Sequence, residues 1–72
     1  MSYIQSLMTR LAKSPKIPGS FLTVLSRSKY DNIRKSVADN DNTPSDILVK
    51  LTEDGNSTVK DHAKSALFRR EE

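Results

Sequence analysis

Sliding the chain past itself by 26 positions lays apolar residues on apolar residues over most of its length. Ala12 falls on Ala38, Pro18 on Pro44, Leu22 on Leu48 and Leu25 on Leu51. Leu11 falls on Val37 and Phe21 on Ile47. Leu7, Ile33 and Val59 make a column of three, and Arg34 and Lys60 a column of two. Self-similarity at such a period means stacked copies of one supersecondary unit, because a single unit cannot bury its apolar side alone. The best-formed copy, Val37 to Asp54, reads as a helix end, a polar turn, a Thr-Pro start and a second helix. The expected fold is therefore all-α. It has five short helices in one domain, with a half unit over 1–13 and units over 14–39 and 40–70.

Composition limits what such a stack can be. The chain has 72 residues, of which 35% are apolar and 29% charged, with no Trp. A domain of that size buries only about 60% of its unfolded surface, so its core is thin, yet it is too apolar for a disordered chain. The absence of Cys excludes a disulfide framework, thiolate metal sites and a cysteine nucleophile, and suits a reducing, cytoplasmic setting. No apolar run approaches the roughly 18 residues of a membrane span, so no membrane role is expected.

Read in order, Ser2 can cap a first helix that runs to about Lys13, with Ile4, Leu7, Met8 and Leu11 on one face. Bases without acids in this segment also suit a transit peptide, but Leu7, Leu11 and Ala12 fit the repeat. Pro15, Pro18 and Gly19 break the helix, and Pro18 is placed to begin the next, which carries Phe21, Leu22, Val24 and Leu25 to about Arg27. Asp31 or Ser28 caps a third helix with Tyr30, Ile33 and Val37 inward. After the Asp39–Asn42 turn, Thr43 is the expected cap of the fourth helix, while Ile17 in the equivalent place leaves the second helix uncapped and readier to fray. Gly55 is placed for a left-handed stop and Asn56 or Ser57 for the last cap. The last helix buries Val59, Ala63, Ala66 and Leu67 and ends on Arg69 and Arg70, with Glu71 and Glu72 fraying.

The series Ile33-Arg34, Val37-Ala38, Asn40, Thr43-Pro44, Ile47-Leu48, Leu51-Thr52 and Asp54, followed by Val59-Lys60, resembles the leucine-rich repeat variant family. The resemblance is close over about 30–64 and looser over 7–29. It implies a small right-handed α-solenoid of about two and a half repeats, HEAT- and armadillo-like in shape, with a short helix after Thr-Pro and no catalysis. The chain departs from the family pattern in its longer unit and in Asp41, where Pro is usual. The iron–sulfur segment of some members needs Cys, so no cofactor is expected.

In such a stack the first, third and fifth helices line one side, where a partner can lie. The net charge of +3 is uneven: residues 1–30 hold five bases and no acid, whereas 31–72 hold seven bases and nine acids. That asymmetry suits an oriented contact with an acidic partner, though it also suits a simply solvated surface. The candidate contact residues are Arg10, Lys13, Arg34, Lys35, Lys60 and His62. The expected function is a small non-enzymatic adaptor or regulator that binds a protein. The alternative is a nucleic-acid binder whose bases follow a phosphate backbone, against which stand Asp39 and Asp61 on the same faces and the lack of interleaved aromatics. The bland reading is that these bases cover helix flanks and pair with Asp31, Asp39 or Asp61. One His without Cys makes no zinc site, and Asp39, Asp41 and Thr43 open no calcium loop, because Pro44 and Lys50 stand where Gly and Glu are required. Asn56-Ser57-Thr58 is a sequon by pattern and a helix cap by context. Tyr3 and Phe68 mark the two ends of the stack, where self-association is an option.

Overall fold

The computed structural model describes residues 3–71 as five α-helices joined by short turns, with no strand among the described residues. They are α1 (Tyr3–Ala12), α2 (Gly19–Leu25), α3 (Asp31–Asp39), α4 (Ser45–Leu51) and α5 (Ser57–Arg70). Ser2 as a cap and Glu72 as a frayed end lie outside the described residues. α3 lies between α1 and α5 and packs on both; α2 rests on α1 and α3, and α4 on α3 and α5. Three helices thus make one row and two shorter ones a second layer, within Cα extents of 37 × 26 × 15 Å. None of the described helices is long and apolar enough to cross a membrane.

The core follows the 26-residue register of the sequence. Ala12 and Ala38, Leu22 and Leu48, and Leu25 and Leu51 are buried as pairs. Ile33, Val37 and Val59 bring α3 and α5 into the same cluster, with Met8, Tyr30 and Leu67 packed at its margin. Burying each such aliphatic side chain is worth about 1.5–3 kcal/mol. Ile17, in the loop before α2, is buried too.

Several helix ends differ from expectation. Pro18 and Pro44 are N-caps rather than first helical residues, with extended ψ of 151° and 144°. Thr43 does not cap α4. It is buried, and its hydroxyl donates to the Val37 carbonyl at 2.6 Å, closing the end of α3. Neither short helix has a side-chain cap, so the expected difference in fraying between them has no basis. α2 stops at Leu25, with Ser26 and Arg27 in the following turn. Tyr30 stands at the N-cap of α3, where Asp31 or Ser28 was expected, and Ser28 Oγ accepts from the Tyr30 N–H at 3.1 Å. Gly55 is not left-handed, since no described residue has a positive φ. α4 ends in a tightened turn, the Glu53 N–H donating to the Lys50 carbonyl and the Asp54 N–H to that of Leu51, both at 3.1 Å. Asn56 caps α5 as expected, its Oδ1 accepting from the N–H groups of Thr58 (2.9 Å) and Val59 (3.1 Å). Phe21, expected in the core, is partly exposed.

Polar side chains staple each unit to the one before it at both ends of the helices. At one end the Asn40 amide donates to the carbonyls of Ala12 and Ser14, each at 2.8 Å, and Asn42 to those of Pro15 (2.7 Å) and Ile17 (3.0 Å). The next loop is held by Arg70, which donates to the carbonyls of Thr43 (2.6 Å) and Asp41 (3.0 Å). At the other end Arg34 bridges the Ser28 carbonyl (2.7 Å) and the Asp54 carboxylate, and Asn56 Nδ2 donates to Asp31 (2.8 Å).

Candidate functional site

The same register positions recur three times along the row of α1, α3 and α5, most of them reached by solvent and Ser36 buried. α1 contributes Ser6, Thr9 and Arg10, with Lys13 in the turn that follows it; residues 26 further on are Asn32, Lys35, Ser36 and Asp39; on α5 they are Thr58, Asp61, His62 and Ser65. A groove of about 310 Å³ between α1 and α3 is lined by Ser6, Thr9, Arg10, Lys13, Asn32, Lys35 and Ser36. A second, of about 380 Å³, lies between α3 and α5 and is lined by Asp39, Asp61, His62, Ser65 and Arg69.

The two grooves differ in charge. The first holds three bases and no carboxylate. Among the described residues, neither Arg10 nor Lys13 nor Lys35 forms an ion pair. Thr9 and Ser36 turn their hydroxyl protons back on their own helices, donating to the carbonyls of Gln5 (2.9 Å) and Asn32 (3.1 Å). The donors left to a visitor include the three cations and the Asn32 amide. In the second groove His62 Nδ1 lies 2.6 Å from Asp39 Oδ1, bridging α3 and α5, and Asp61 has no basic partner among the described residues. No set of three or more His, Cys, Asp or Glu side chains suited to a metal ion occurs among the described residues.

Of the six expected contact residues, Arg10, Lys13 and Lys35 come together in the first groove, and His62 lies in the second. Lys60 is half-buried on α5 and lines neither. Arg34 stands apart. Its Nε donates to Asp54 Oδ2 at 2.8 Å and its Nη2 to Oδ1 at 3.2 Å, with the side chains only 19% and 9% exposed. The hydrogen bond to Asp54 raises the Arg34 pKa, and the same bond, helped by the Asn56 N–H, lowers that of Asp54 against the opposing effect of burial. The pairing with Asp54 was not foreseen. The repeat register carries the signal for the neutral groove residues Ser6, Thr9, Asn32 and Ser36: applied to Arg10 and Lys13 it points to positions 36 and 39 on the neighbouring helix.

Compared with protein-family models, curated proteins and solved structures, the chain matches none.

Proposed function

We propose that this is a non-enzymatic interaction module, an adaptor or regulator of the reducing cytoplasm, which holds an acidic segment of a partner protein in the α1–α3 groove. The observation that carries this reading is the convergence of Arg10, Lys13 and Lys35 on one groove without a carboxylate in its lining. Charges arranged in this way steer and orient an acidic chain. The stacking of equivalent buried pairs supports kinship with leucine-rich repeat variant proteins as part of the same proposal. A nucleic-acid backbone is the poorer occupant. Arg34 is held by Asp54 and Asp39 by His62, and Asp61 interrupts the face, so no unbroken basic track crosses the three helices.

The test is fluorescence anisotropy with a labelled Glu/Asp-rich peptide, in competition with single-stranded DNA. Reversing Lys13 and Lys35 to Glu should abolish peptide binding while leaving the helical circular dichroism unchanged. Unaltered peptide binding, or DNA displacing the peptide with a steep salt slope, would sink the proposal. Arg34 is unsuited to this experiment, because a Glu there would face Asp54.

A further inference from the structure

The repeat provides its own control for what an occupied helix flank looks like. Leu7 is 41% exposed, whereas its equivalents Ile33 and Val59 are 2% and 0% exposed. Phe21 is 38% exposed against 5% for Ile47, and Leu11 is exposed where Val37 is wholly buried. Ile33, Val37 and Ile47 are covered because a preceding unit lies against them; Ile4, Leu7, Leu11 and Phe21 have no such unit beside them among the described residues. The opposite end of the row is finished differently. Where α1 and α3 bury Ala12 and Ala38, the same position of α5 is an exposed lysine, Lys64. A polar outer face is what closes a stack. The α1 flank is open and apolar, whereas the α5 end is mixed, with the exposed Lys64 and the 66% exposed Phe68 one turn apart.

We propose that the open flank of α1 is a docking site for an acidic amphipathic helix of a partner protein, which takes the place of the next helix in the row. Its apolar residues, spaced three and four apart, cover Ile4, Leu7, Leu11 and Phe21, as helix-in-groove ligands do. Its carboxylates face Arg10, three residues from Leu7 on the rim between this stripe and the groove. Charge selects this occupant over a second copy that presents its own α1 end. The first 30 residues carry five bases and no acid, so two α1 ends brought together repel. A head-to-tail contact would instead set this flank against an α5 end that carries the exposed Phe68 one turn from Lys64 and lies in the acid-richer half of the chain, and the sedimentation measurement below decides between that contact and a partner helix. This surface adjoins the α1–α3 groove and shares Arg10 with it, and the Lys13 and Lys35 reversals below separate the two.

Three synthetic peptides test it against the intact protein: a helix with Leu at these spacings and Glu flanks, the same helix with Lys flanks, and a scramble of the Glu peptide. The Glu-flanked helix should bind about tenfold or more tighter than either control. Its amide shift changes in nuclear magnetic resonance spectra should centre on α1 and Phe21 and spare α5. Leu7→Gln with Leu11→Gln should remove this binding, while Lys13→Glu with Lys35→Glu leaves the changes at Leu7 and Phe21 in place. Equal binding of the scramble, or shifts centred on α5, would overturn the proposal. So would sedimentation showing a dimer that Leu7→Gln dissociates, because the flank would then belong to a second copy. The shift map uses the unaltered protein, so it decides the matter even if the double Gln variant fails to fold.

Discussion

Arg34 and Asp54 hold opposite charges where water reaches them poorly, and two parallel hydrogen bonds fix the guanidinium against the carboxylate. Paired in this way, each keeps the other charged, and the Asp54 pKa is lowered. The sign of the pH effect follows. An unfolded Asp takes up its proton near pH 3.9, whereas the folded one resists until a lower pH. The stabilisation is thus complete above the unfolded value and is lost as pH falls towards the folded one. Asp54→Asn should cost about 1.5–3 kcal/mol at pH 7, the range for hydrogen bonds to charged groups. The deficit should shrink below about pH 4, where the wild type begins to lose the same interaction. Urea midpoints at pH 7, 4 and 3 measure it, and a deficit that stays constant with pH would contradict the assignment. Spacing alone could not reveal this pair. Arg34 is visible as the partner of Lys60 in the repeat, but the acid that binds it lies 20 residues away, in the turn after α4, beside an Asn that caps the next helix.

At the scale of elements, the loops before the short helices touch one another as well as their helices. A Cβ on Gly19 would lie 3.1 Å from the Asn42 carbonyl oxygen and 3.3 Å from the Pro44 ring. The carbonyl is backbone, in a loop whose Asn42 side chain is already bound to the Pro15 and Ile17 carbonyls, so it has little freedom to retreat. Gly19→Ala should therefore destabilise by about 1 kcal/mol despite the better helix propensity of Ala, in line with overpacking costs. A thermal melt checks the sign: a rise in Tm would mean that the loop gives way. The apolar register of the helices was legible because burial repeats at helical spacing, and the buried pair Leu22 and Leu48 occupies corresponding places. The caps were less so. Thr43 has the chemistry of an N-cap, but the Val37 carbonyl at the end of α3 competes for its hydroxyl and wins. The open flank was hidden for a related reason: Leu7, Leu11 and Phe21 have core spacing, and spacing does not say whether a neighbour exists to cover them.

Across the whole molecule, thirteen buried apolar residues among those described make a small core, so the staples at the helix ends matter to cooperativity. The face that carries Arg10, Lys13 and Lys35 keeps its shape only while α1, α3 and α5 stay in register. Asn40 and Asn42 hold the loop between α1 and α2, and the corresponding loop between α3 and α4 depends on the last residue of α5. Arg70 donates there to the carbonyls of Thr43 and Asp41 and to the Ser45 hydroxyl at 3.2 Å. A charged donor to carbonyls is worth up to about 3 kcal/mol when buried, and exposure of this side chain brings that to about 1 kcal/mol. Arg70→Ala should lower the urea midpoint accordingly, with an uneven effect along α5. Hydrogen exchange should quicken at Leu67 to Arg70 and in the 40–45 turn, while the amides of Ala63 and its neighbours on the core side keep their protection. Equal acceleration along all of α5 would mean that the helix leaves the row as one body, and that Arg70 holds the whole stack rather than its last turn.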